Sequence, residues 1–243
     1  MAISRFKKGV PGFGFDAFGY PLKYDTAAEA GCGILRVPQD GLVFYAPLDK
    51  EASTAVTGQS LSKSGTVTYE TVDGVPMGCF NNGYIYVQNG GDVPSGNESR
   101  TVSCYAYMRE STGTYPGIVY CGDVNKSNCL TIIATPESII ATQAWRSGSR
   151  VGSAENSEEA EKMQHLAVTY SSDGNILTTY CNGVKTGDAV CSGGINTSNK
   201  LYIGILADSA MTRVFPGVIC AVRIYNRVLS DKEIRALSKE FKI

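Results

Sequence analysis

The sequence is poor in the groups that much of catalysis draws on. Its 243 residues include one histidine, His165, and one tryptophan, Trp145. A nucleophilic triad needs a base beside its Ser or Cys, and no Gly-x-Ser-x-Gly elbow accompanies that single imidazole, so hydrolysis by this route is excluded. Charge is scarce at 19% and balanced, 22 Lys+Arg against 23 Asp+Glu, for a net charge of −1. A nucleic-acid binder gains affinity by neutralising phosphates and shows a basic face, which this composition does not supply. No apolar run approaches the ~20 residues a membrane span requires. The opening MAISRFKKGVPGFGFDAFGYP is broken by Gly, Pro and Asp where a secretory signal needs an apolar stretch, so synthesis and folding in the producer's cytoplasm are expected. There is no CxxC, no P-loop and no dinucleotide fingerprint, and no cofactor or metal is expected.

What is present favours strands and turns: 27 glycines, 14 tyrosines and few helix-forming stretches. From residue 41 short apolar segments recur every 8–12 residues: GLVFYAPL, GTVTYETV, GYIYVQ after the turn signal Asn81-Asn82-Gly83, TVSCYAYMR, GIVYCG and LTIIAT. HLAVTYS, Ser172-Asp173-Gly174 and NILTTYCNG read as a hairpin, followed by KLYIGIL and GVICAVRIYN. GSAENSEEAEK reads as a solvated acidic loop. Ser230-Asp231-Lys232-Glu233 is a capping box, and Ile234, Leu237 and Phe241 then fall on one helical face. The eight cysteines sit largely in strand-like runs and read as free, buried thiols. The expected fold is an all-β antiparallel sandwich spanning 39–243, with one short C-terminal helix. Residues 1–38 form a separate N-terminal arm carrying Phe6, Phe13, Phe15, Phe18, Tyr20 and Tyr24. So many aromatics argue for packing, either in cis or on a partner subunit.

Three segments resemble a known family. GLVFYAPLDKEA is similar to its first strand, and QHLAVTYSSDGNILTTYCNGVKTG to its central hairpin. KLYIGILADSAMTRVFPGVICAVRIYNRVLSDKEIRALSKEF is similar to its C-terminal strand and helix. The family is the concanavalin A-like jelly roll of the laminin G-like kind, and the resemblance implies that fold and not a reaction. It implies that Val222 and Ile224 face the core while Arg223, Tyr225 and Asn226 fix the strand-to-helix corner. Two departures stand out. Cys220 occupies a position where related sandwiches often place a calcium-holding Asp, which predicts no calcium there. The family's Trp-His-His entry is Met163-Gln164-His165 here, and His165 is expected to be packed and hydrogen-bonded.

The glycosidase pattern of strand carboxylates is absent, and Glu155, Glu158, Glu159 and Glu161 read as solvated, so no catalytic residue is expected. Sugar binding remains: rings stack on a pyranose while planar polar groups bond its hydroxyls. Tyr115, Tyr120, Trp145 and Arg146, with Asp123, Asn125 and Asn128, are the candidate rim, although for Trp145 a cap on the sandwich core is the favoured reading. A fold family that works outside cells, thiols that suit a reducing compartment and an aromatic arm are reconciled by a phage virion component. This expectation is a non-enzymatic, homo-oligomeric capsid decoration, head-fibre or tail-associated protein. It is made in host cytoplasm and anchored to other virion proteins through residues 1–38. It displays a domain that binds cell-surface or mucus glycans, with no nucleic-acid or membrane partner. The alternative is a bacterial lectin-like adhesion protein, cytoplasmic or released.

Overall fold

A computed structural model describes residues 37–241 apart from 112, 126, 127 and 158, and the backbone of a short antiparallel pair, β1 (Gly14–Phe15) and β2 (Pro21–Leu22). Apart from that pair's backbone and residues 37–38, the proposed arm lies outside the described residues, and so do its six aromatic side chains.

Eleven strands form one antiparallel path. It runs β10 (Ser149–Ser157), β9 (Ile140–Arg146), β8 (Asn128–Ala134), β7 (Gly117–Gly122), β14 (Leu201–Ile203), β5 (Val75–Val87) and β17 (Gly217–Tyr225). It continues through β6 (Arg100–Met108), β11 (Gln164–Ser171), β12 (Ile176–Cys181) and β13 (Val184–Val190). β3 (Leu42–Ala46) joins β17, and β4 (Ser62–Val72) joins β5. β5 and β17 share only the pairs Val218↔Cys79 and Ile219↔Gly78, so the sheet folds there into two layers. Its far edges approach each other: Thr179 and Thr186 hydroxyls on β12 and β13 donate to the Glu155 carbonyl on β10 at 2.8 and 2.9 Å. The result is a nearly closed jelly-roll sandwich.

One alternating face of each layer fills the core, which contains Phe44, Phe80, Ile85, Val102, Leu130, Ile132, Leu166, Val168, Val222 and Ile224. β17 is buried on both faces: Val218 and Cys220 pack with Tyr45, Met77 and Tyr105, and a C-terminal cover lies over Tyr225. That cover is α1 (Asp231–Leu237), whose Ser230–Glu233 capping box closes as its sequence requires and whose Ile234 and Leu237 are buried. Phe241 packs beyond the helix end, edge-on to Tyr105.

Two local expectations are corrected. Asn81-Asn82-Gly83 is no turn: β5 runs through it, and a β-bulge shifts the pairing between Thr66 and Thr68. Gly83 is needed for close approach, since a Cβ there would lie 2.6 Å from the Thr66 nitrogen. The hairpin turn is Asp73-Gly74, both at positive φ (49° and 79°), the geometry of a two-residue type I′ loop. The acidic run GSAENSEEAEK is strand for most of its length, because β10 pairs with β9 as the sheet's edge and leaves its charged side chains in solvent.

Candidate functional site

Strand alternation separates the candidate rim. Trp145 and Arg146 are consecutive in β9, so their side chains leave on opposite faces. Trp145 joins the outer face, whereas the Arg146 guanidinium lies beside Gly193. Tyr120 is not on a loop: it sits in β7, fully buried, with its hydroxyl donating to the Asp123 carbonyl at 2.5 Å. A ring so covered cannot stack on a sugar. Tyr115 is exposed, but it precedes β7 while Asp123 follows it. A six-residue strand at ~3.3 Å per residue puts roughly 20 Å between them. Trp145 pairs with Cys129, which pairs with Gly122, so Trp145 belongs to the Asp123 end. There Asp123 pairs with Lys200 at 3.6 Å, and the Asn125 backbone N–H donates to the Ala207 carbonyl at 2.8 Å. Asn128 accepts from the Ser147 amide at 3.1 Å. These polar groups hold a loop closed.

The structure assembles a different set around Trp145. Along the outer face of the first layer the pairings Ser62↔Tyr86↔Tyr202↔Tyr120↔Thr131↔Gln143↔Ser153 form one row across seven strands. Tyr86 and Tyr202 stack at 6.5 Å and 27°, Tyr84 lies 6.1 Å from Tyr86, and Tyr120 meets Tyr202 edge-on at 5.9 Å. Trp145 donates from its indole N–H to Gln143 at 3.2 Å, and Arg150 stands directly across from it on β10. A hairpin, β15 (Ile205–Leu206) with β16 (Arg213–Val214), lies over Tyr120 and covers the middle of the row with Ile205, Leu206 and Ala207. Tyr84, Tyr86 and Trp145 stay half-buried on either side of it. Tyr84, Tyr86 and Tyr202 were not among the rim candidates. Period-2 alternation in GYIYVQ and KLYIG places each on one face, but nothing local says which two strands become neighbours.

A second concavity, an open cleft of about 660 Å³, lies at one end of the sandwich and is lined by Asp92, Ser95, Glu98, Ser99, Ser172 and Asn226 among others. Buried Arg100 shapes its wall by donating to the carbonyls of Pro94, Ser95, Gly96 and Glu98 and to the Thr197 hydroxyl. Among the described residues, no aromatic lines the cleft.

His165, the acidic run and the buried thiols are held in packing or in local pairs among the described residues. His165 is packed as expected, edge-on to Tyr105 at 5.0 Å, but neither ring nitrogen has a hydrogen-bond partner among the described residues. Burial, with Arg223 nearby, pushes its pKa down to about 3. Among the described acidic-run residues, Glu155 is exposed on β10, Glu159 pairs with Lys162, and Glu161 accepts from Ser138. Cys79, Cys104, Cys121, Cys181, Cys191 and Cys220 are free thiols, and burial pushes that of Cys121 up to about 12 and that of Cys191 to about 11. Such thiols are packing groups rather than nucleophiles.

Residues 80–235 match the laminin G-type family model of the concanavalin A-like lectin/glucanases superfamily. The chain belongs to that superfamily. No curated protein sequence matches it. Among solved structures, this superfamily fold is shared with domain 4 of AbnA, an extracellular arabinanase from Geobacillus stearothermophilus, in complex with arabinotriose. The TM-score is 0.64 at 17% identity, covering 83% of this chain and 100% of that one. The binding domain of paraclostridial mosquitocidal protein 1 aligns at TM-score 0.63 and 16% identity, over 82% of this chain and 52% of its own. A botulinum neurotoxin type C structure, from work describing entry dependent on two ganglioside molecules, gives 0.64 and 17%, over 82% and 51%. This chain spans about half the length of those toxin chains. At such identities the likeness shows the fold alone, that of the concanavalin A-like superfamily. At the superfamily's frequent Asp position, Cys220 is buried against Tyr105, its thiol pKa pushed well up by burial. A neutral thiol does not fit a hard cation, and among the described residues no three His, Cys, Asp or Glu gather as a metal-binding group.

Proposed function

We propose that this chain is a non-enzymatic carbohydrate-binding domain whose glycan site is the aromatic outer face of the first layer. The observation that carries this reading is the pair of half-buried rings Tyr84 and Tyr86, backed by buried Tyr202, on one side of the β15–β16 hairpin, with half-buried Trp145 on the other. Ordered, half-buried rings on a sheet face offer apolar surface to a pyranose at little entropic cost. Exposed Arg150, Ser62 and Ser153 border them as donors and acceptors for sugar hydroxyls. Superfamily membership supports it, as does the arabinotriose held by the arabinanase domain. A glycan array on the folded protein should give oligosaccharide binding, and Tyr86→Ala and Trp145→Ala should each weaken it about tenfold, ~1.4 kcal/mol. Array silence, or unchanged binding by both variants, would count against the site.

The setting we favour is a phage virion surface, with residues 1–38 anchoring a homo-oligomer to other virion proteins. Its support is the aromatic content of that segment and the buried free thiols, which suit folding in a reducing cytoplasm. Removing residues 1–38 should convert the oligomer to a folded monomer in size-exclusion chromatography with light scattering. An unchanged mass would remove the arm's role.

A further inference from the structure

The outer face of the second layer holds polar groups that the aromatic site does not use. Arg223, 2% exposed, lies in β17 with its guanidinium 4.0 Å from the centroid of the Tyr45 ring. Ser103 is its direct cross-strand neighbour on β6, and two residues along that strand Tyr105 stands between Cys220 and His165. The Ser103 hydroxyl and both His165 nitrogens are buried with no hydrogen-bond partner among the described residues. Orphaned polar atoms cost free energy, and three of them beside a buried guanidinium mark a polar site rather than a packed core.

The segment covering this face is the chain's own C-terminal strap. Glu240 accepts two hydrogen bonds from Arg223, both 2.7 Å, in a fork-to-fork pair. Phe241 sets its ring 4.9 Å from Tyr105 at 76°, and the Leu237 carbonyl accepts from the Tyr105 hydroxyl at 2.7 Å. The strap thus presents a carboxylate to an arginine, apolar ring atoms to an aromatic ring and an oxygen to a hydroxyl. Those are the groups an acidic pyranose would present. Beyond α1 the backbone is held by turn bonds, Lys239 N–H to Ala236 and Glu240 N–H to Leu237, at 3.3 and 3.2 Å.

We propose that this face is a second binding site, for a carboxylate-bearing sugar such as a uronate, and that the strap occupies it as a tethered mimic. An arginine stripped of its carboxylate in a buried site is strongly unfavourable, so the strap leaves only in exchange for another carboxylate. Once it leaves, the His165 nitrogens and the Ser103 hydroxyl become the partners of the sugar's hydroxyls. A peptide carboxylate would satisfy Arg223 but leave those three atoms unbonded.

The test is calorimetric titration of the full chain with glucuronate, glucose and glutamate, for wild type and for Glu240→Gln. The expected result is glucuronate affinity about tenfold higher in Glu240→Gln than in wild type, with no comparable gain for glucose or glutamate. Tyr86→Ala added to Glu240→Gln should leave that gain intact, which separates this site from the aromatic face. If Glu240→Gln does not fold, Phe241→Ala, which keeps the ion pair and loosens the strap, carries the same expectation. A folded variant that binds glucuronate no better than wild type, or that binds glutamate equally well, overturns the proposal.

Discussion

His165 shows what a single residue can be asked. Its ring is buried against Tyr105 and its folded pKa lies near 3, against 6.5 for an unperturbed histidine. As pH falls through 6.5 the unfolded chain takes up a proton that the folded chain refuses until about pH 3. Its contribution to stability is therefore complete above the unfolded pKa and is lost at about 1.4 kcal/mol per pH unit below it. Urea denaturation of wild type and His165→Phe between pH 7 and 4 should show the variant losing less stability across that window. Parallel curves would mean that the imidazole is solvated. The sequence pointed to a packed histidine from its place in a strand. It could not reveal the missing partners, because the faces of Tyr105 and the strap that enclose it come from distant parts of the chain.

At the scale of elements, whatever closes locally was legible. The Ser230–Glu233 box forms within four residues, with the Ser230 amide donating to Glu233 at 2.8 Å. Arg227 also grips Glu233, and that hydrogen bonding lowers its carboxyl pKa to about 2. Ser230→Ala should cost about 1 kcal/mol in chemical denaturation, the usual worth of an N-cap, and an effect near zero would show that the Arg227–Glu233 pair alone holds the helix start. Turn chemistry misled where two signals competed. Asp73-Gly74 and Asn81-Asn82-Gly83 both carry turn residues, but only the first separates two strands that pair directly. The second needs its glycine for the bulge instead. The acidic run failed for another reason: an edge strand facing water on one side tolerates charge, so composition alone does not distinguish it from a loop. Trp145 and Arg146 could have been separated from sequence, since a strand reading of ATQAWR already sends neighbours to opposite faces.

At the scale of the molecule, the fold and family were legible because their motifs lie in continuous segments, above all the final strand and helix. The site was not, because it is made by strand order. Tyr86, Tyr202, Tyr120 and Gln143 come from β5, β14, β7 and β9, and only the crossover that inserts β14 between β5 and β7 lines them up. The same order brings the β15–β16 hairpin over Tyr120 and leaves rings open on both flanks. The most direct test is an amide-resolved NMR titration of the full chain with an oligosaccharide selected on the array. The account predicts saturable shifts clustered on residues 84–88, 143–145 and 202, with the cleft at Glu98 and Ser172 unaffected. Shifts confined to that cleft, or none at saturating sugar, would contradict it.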